Sequence, residues 1–228
     1  MKNLVLAGLF ATLTAGTASA ELLYSQSFED PDYLGAKYYD TGDVNTFHWL
    51  TNNEGQAAVN GVGFNAWYAP SDPVGVGLTD GDYVGVTDYA GNVGAFYDGA
   101  QGYQMSDTDG TMGLAIDDFG AGVNVSFAIF LASTGYEDAD ALTVSYGDDV
   151  LLQLGDGEDG GLAMETAAGT WMFIEAFDVT GSLTIAFGSN SGSESVSIDA
   201  INIWTGAIPA PGALALLGLA GLASRRRR

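Results

Sequence analysis

The residues of this chain best suited to chemistry are carboxylates on short glycine-rich turns. Glu29/Asp30/Asp32, Asp80/Asp82, Asp107/Asp109 and Asp148/Asp149 are pairs or triplets of hard oxygen donors, and calcium takes six to eight such oxygens. Ser106-Asp107-Thr108-Asp109-Gly110 follows the middle of an EF-hand loop. Met105 and Ile116 stand where that loop needs its first and last ligands, so Asp107 and Asp109 are left as a reduced pair. The same acids also suit solvated hairpin turns, because Asp before Gly fits tight-turn geometry. Both readings stand at each cluster. A structural Ca2+ is the cofactor expectation, since a bound cation relieves repulsion among acids.

A second group of residues could recognise sugars. Nine of the 11 tyrosines, with Trp49 and Trp67, fall between Tyr24 and Tyr103, interleaved with Asn and Gly. Aromatic rings stack on the apolar faces of sugar rings while Asn, Asp and Gln bond the hydroxyls. Tyr38, Tyr39, Trp67 and Tyr68 are the candidate glycan contacts on this pattern; packing inside a β-sheet core is the competing use of the same side chains. Trp171 and Trp204, among apolar neighbours, are assigned to the core. Catalysis has less behind it. The single histidine, His48, sits in the strand-like Thr46-Phe47-His48-Trp49-Leu50 without a G-x-S-x-G or H-E-x-x-H partner motif. Carboxylate pairs at glycosidase spacing arise by chance among 29 acids. No catalytic residue is assigned.

Charge narrows the classes further. The chain carries six Lys or Arg against 29 Asp or Glu, a formal −23. Five of the six cations are Lys2 and Arg225 to Arg228, so Lys37 is the one basic residue between Glu21 and Ala207. That distribution excludes grip on nucleic acid or anionic lipid through the body, which needs clustered cations. The absence of Cys excludes disulfides, thiol catalysis and zinc–thiolate sites.

Both ends read as addresses. Lys2, an apolar run over Leu4 to Leu13 and Ala18-Ser19-Ala20 form a signal-peptide pattern over residues 1–20, with cleavage between Ala20 and Glu21. At the other end Pro209-Ala210-Pro211 breaks the chain, an apolar run covers Ala213 to Ala223, and Arg225, Arg226, Arg227 and Arg228 close it. As a helix that run is too short for a ~30 Å hydrocarbon core, and the arginines hold to the cytoplasmic side.

Residues 208–228 resemble the PEP-CTERM sorting signal of Gram-negative-type bacteria, with Ala210 where the family usually has Glu. The resemblance implies transfer by the secretion machinery, a transient hold in the inner membrane, and processing by an exosortase-like protease. It also implies delivery to the cell surface or the exopolysaccharide matrix. An ordinary C-terminal anchor that stays in place is the alternative.

The elements that must position these residues are strands. Val123, Val125, Phe127, Ile129 and Leu131 alternate with other residues at a period of two, as do Leu142, Val144 and Tyr146, and Leu183, Ile185 and Phe187. Shorter strand candidates are 22–28, 56–60, 83–87, 111–116, 150–154 and 171–177. Asp-Gly and Gly-Asp turns separate them, and no helical stripe appears before the C-terminal tail. Gly155 to Gly161 is expected to be a flexible loop. Residues 21–207 are therefore expected to form a single all-β domain, an antiparallel sandwich, between a signal helix and a short C-terminal apolar helix.

The early Ser27-Phe28-Glu29-Asp30 and late Ser197-Ile198-Asp199-Ala200-Ile201 resemble the opening and closing strands of jelly-roll, galactose-binding-like carbohydrate-binding modules. The resemblance implies a sandwich of jelly-roll type, with adjacent first and last strands beside a structural calcium and with Glu29 and Asp199 as its ligands. Near Asp199 the apolar parity changes, which is consistent with a bulge or with a strand buried on both faces. The expected function is a non-catalytic, exported surface or matrix protein with weak glycan binding. A purely structural surface protein and a polysaccharide hydrolase are the alternatives.

Overall fold

Period-two alternation of apolar side chains gives several strands, β8 and β11 most plainly, one buried face, and two sheets closed on each other by such faces give the core of this molecule. In the computed structural model, which describes residues 20–35, 42–53, 58–78, 83–132 and 135–206, twelve strands form two antiparallel sheets. They are β1 (Glu21–Gln26), β2 (His48–Trp49), β3 (Asn65–Pro70), β4 (Tyr83–Thr87), β5 (Gly102–Ser106) and β6 (Gly110–Ile116). The second half of the chain adds β7 (Ala121–Leu131), β8 (Ala141–Tyr146), β9 (Asp149–Gly155), β10 (Trp171–Thr180), β11 (Leu183–Ser189) and β12 (Ser195–Thr205). A single α-helix among the described residues, α1 (Gly160–Ala167), follows β9.

The first sheet runs β10-β7-β12-β5-β4, with β1 beside the far half of β12. The second runs β2-β3-β6-β11-β8-β9. Val123, Val125, Phe127, Ile129 and Leu131 on β7 are fully buried, as are Leu142, Val144 and Tyr146 on β8 and Leu183, Ile185 and Phe187 on β11. The expected antiparallel sandwich is the fold. The first and last strands pair, Glu21 opposite Thr205 and Gln26 opposite Ile201. At Asp199 to Asn202 the β12–β7 register slips and Ala200 takes a φ of 52°. That bulge is the parity change seen in the sequence.

Several expectations are corrected. Gly155 to Gly161 is not one loop, because α1 begins at Gly160 and buries Met164 against the core. Of 56–60 only 58–60 is described, and Asn60 makes an isolated bridge to Asn65 rather than a strand. Trp171 is not a core residue: it alternates with Met172, Ile174 and Ala176, which pack against the core, so it lies on the outer face of the first sheet. Trp204 is buried as expected, 6% exposed, but on that same outer face, opposite in parity to Ile201 and Ile203. There Trp171 packs on Phe130 and Tyr97 and donates its indole N–H to the Ala95 carbonyl at 2.9 Å, while Phe177 covers Trp204.

Candidate functional site

Small residues on a sheet face leave room for a ligand, and the outer face of the second sheet has them in quantity. One row crosses all six strands: Trp49 opposite Trp67, then Gly113, Ala186, Thr143 and Gln153. The next row is Ala69, Thr111, Gly188 and Ala141. From β3 to β8 this floor is three strand spacings wide, about 14 Å. Gly113 decides its shape, because a Cβ there would collide with the indole of Trp67. The missing side chain lets Trp67 lie down over β6, the kind of close approach that requires glycine in a strand.

Two further aromatics complete the platform. Phe47 stands 5.4 Å from Trp67 and 6.0 Å from Trp49, centroid to centroid. Phe47 and Trp49 are 54% and 49% exposed, an unusual amount of aromatic surface to leave in water. Strand parity turns His48 the other way, its ring 5.5 Å from Tyr68 and its Nδ1 2.9 Å from the Thr46 carbonyl. A groove of about 520 Å³ continues this face past the second row. Thr111, Gly188 and Ala141 line it together with Asp72, Asp109 and Asp140.

Of the aromatic candidates, Trp67 is on this face and Tyr68 is not. Tyr68 is fully buried because it alternates with Trp67, so its assignment as a sugar contact is corrected. Tyr38 and Tyr39 lie outside the described residues, as do Pro209, Ala210, Pro211 and Arg225 to Arg228. Glu21 opens β1, next to Ala20.

Glu29 and Asp199 come to the same loop. Glu29 Oε1 accepts N–H bonds from Ala100 and Gln101 at 2.9 and 2.8 Å, and Asp199 Oδ2 accepts one from Asp98 at 2.8 Å. Asp199 Oδ1 takes the Ala200 N–H at 2.6 Å. Burial, with the nearby Asp98 and Glu29 charges, raises Asp199 to about 6 against the lowering pull of those N–H donors. An all-oxygen pair of this kind fits a hard cation in type, yet four backbone N–H groups already serve it. Asp107 and Asp109 flank the β5–β6 turn with φ of 55° and 45°. Between them Thr108 is buried and donates its hydroxyl to the Gly110 carbonyl at 2.9 Å.

Sequence reasoning missed a close acidic group among the described residues. Carboxylate oxygens of Glu137, Asp140 and Glu194 lie within 4.8 Å of one another, with Asp140 and Glu194 almost wholly buried. Glu137 and Asp140 share the β7–β8 loop, where Glu137 N–H donates to Asp140 Oδ2 at 2.6 Å and Asp140 N–H returns to the Glu137 carbonyl at 3.1 Å. Glu194 comes from the β11–β12 loop. Ala132 N–H (2.8 Å) and the Tyr136 hydroxyl (3.0 Å) tie the two loops together by donating to the Ser195 carbonyl. Asp140 also lines the groove.

No protein-family model and no curated protein matches the sequence. Solved structures similar to the chain include carbohydrate-binding and adhesin domains. The CBM22-1 xylan-binding domain of Paenibacillus barcinonensis Xyn10C is 15% identical with a TM-score of 0.33, covering 83% of this chain and 97% of that one. The K3 cleaved adhesin domain of the Lys-gingipain of Porphyromonas gingivalis is 14% identical with a TM-score of 0.34, covering 49% and 78%. A cyclase from Fischerella sp. TAU is 12% identical with a TM-score of 0.41, covering 82% and 97%.

Proposed function

We propose that this chain is a non-catalytic, exported β-sandwich that binds polysaccharide at the cell surface or in the extracellular matrix. Its ligand lies across the outer face of the second sheet. The observation that carries this reading is the row from Trp49 and Trp67 to Gly113, Ala186, Thr143 and Gln153. It sets an exposed indole platform beside a floor of small side chains edged with hydroxyl and amide groups. A sugar ring stacks its C–H face on Trp67 with hydroxyls toward Thr111, and further rings of the same polysaccharide reach Thr143 and Gln153 across the floor. Stacking plus a few hydrogen bonds on an open face gives weak, readily reversible affinity per site.

Export and sorting rest on the ends of the sequence: the leader of residues 1–20 and the Pro-Ala-Pro, apolar and arginine tail of residues 208–228. The secretion machinery and an exosortase-like protease are the partners this requires. Calcium belongs to the proposal as a structural ion. The non-catalytic reading is supported by the state of Asp140, the groove acid with a raised pKa. It is 2% exposed and held by the Glu137 N–H, so it is poorly placed to protonate a glycosidic oxygen, as a hydrolase requires.

A glycan array probed with the full chain, with and without calcium, tests the reading. Retention on matrix-type polysaccharides is the expected result. Empty arrays under both conditions would leave the purely structural alternative in its place.

A further inference from the structure

Three carboxylates gathered within 4.8 Å repel one another, and a fold holds such a group by protonating it or by placing a cation in it. Among the described residues there is no Lys or Arg to do the second. Two of the three side chains, Asp140 and Glu194, are buried. Glu194 is 1% exposed, and its Oε2 is buried with no hydrogen-bond donor. A buried carboxylate oxygen without a donor is costly unless something positive meets it. Backbone N–H groups do reach this cluster, Glu137 N–H at Asp140 Oδ2 and Asn190 at Glu194, but they leave Glu194 Oε2 unserved; at the other acid pair, Glu29 and Asp199, no such buried oxygen is left over.

We infer that Glu137, Asp140 and Glu194 form a binding site for one hard divalent cation, calcium by its chemistry, which fastens the β7–β8 loop to the β11–β12 loop at the end of the groove. The donor set decides the class of ion. All the side-chain donors are carboxylate oxygens; zinc favours nitrogen and sulfur ligands, and magnesium binds few carboxylates and keeps most of its water. Glu137 is exposed, so the site opens to solvent on that side for entry and for completing the coordination shell with water. The framework is fixed without the ion. Asp156 N–H donates to the Asp140 carbonyl at 3.0 Å and Gly157 N–H to the Asp138 carbonyl at 3.1 Å, so the loop is braced by the end of β9. Asp140 lines the groove beside Ala141 and Gly188, so an ion here sets the shape of one end of the ligand face.

The test is a calcium titration of the full chain at pH 7.5, followed by calorimetry and by thermal unfolding against an EDTA control. Calcium is expected to bind and to raise Tm by several degrees. Glu137→Gln removes an exposed charge without disturbing the core, and should weaken calcium binding at least tenfold. Glu194→Gln should abolish the site, whereas Glu29→Gln should leave it intact. If Glu194→Gln fails to fold, Glu137→Gln decides the matter. No calcium binding, or a response retained at full affinity in Glu137→Gln, overturns the inference; so does a response lost in Glu29→Gln and kept in Glu137→Gln. No glycan enters the measurement, so its failure and a failure of the glycan reading are separate results.

Discussion

Single side chains carry the proposed ligand face, and their parity separates proposed recognition from stability. Trp67 and Tyr68 are neighbours in sequence, yet one lies half-buried over Gly113 on the outer face and the other is fully buried in the core. Trp67→Ala is therefore expected to weaken glycan binding without lowering Tm. Tyr68→Ala should cost about 3–5 kcal/mol of stability, the usual range for deleting a buried aromatic, as read by denaturant unfolding. Gly113→Ala tests the same face from below. Its methyl takes the place of the indole, so the variant should fold and lose the platform, which a glycan-retention assay would register. The sequence made the aromatic cluster visible but not its sidedness between Trp67 and Tyr68, because Asn65-Ala66-Trp67-Tyr68-Ala69-Pro70 lacks a polar–apolar alternation to orient it.

At the level of elements, legibility followed burial on one face. β7, β8 and β11 were readable because their inward residues repeat at a period of two and are all buried. β5 was not, since Gly102–Ser106 is buried along its whole length and shows no alternation. α1 was hidden by Gly160 and Gly161, which read as loop residues. They are there for contact: a Cβ on Gly161 would strike the Tyr136 carbonyl, so the helix start rests directly on the loop that carries Glu137 and Asp140. Gly161→Ala should destabilise the fold by about 1–3 kcal/mol, the ordinary cost of overpacking, measurable by denaturant unfolding. The acidic site was illegible for a topological reason. Glu194 and the Glu137–Asp140 loop are far apart in sequence and meet because β12 pairs with β7. No local spacing records that pairing.

Over the whole molecule, acids outnumber bases so heavily that pH acts on the fold as a unit. Asp140 and Asp199 rise to about 6 and Glu194 to about 7, each from an ordinary value near 4, with Glu137, Asp107, Asp98 and Glu29 as the neighbouring charges. A raised folded-state pKa means that the native chain binds more protons than the unfolded chain between those limits. The stability these groups contribute is therefore complete below about pH 4 and lost as pH climbs through 6 to 7. With divalent ions chelated, Tm should fall from pH 4.5 to pH 7.5, and calcium should recover the loss at pH 7.5 while doing little at pH 4.5. A Tm that rises over that window in EDTA would contradict the assignment. The most direct check on the ligand face is a calorimetric titration of an array-selected oligosaccharide into the full chain and into Trp67→Ala. The expected result is an affinity loss of about tenfold or more, ~1.4 kcal/mol per tenfold, at unchanged Tm; equal affinity in the two proteins would contradict the placement of the ligand on that sheet.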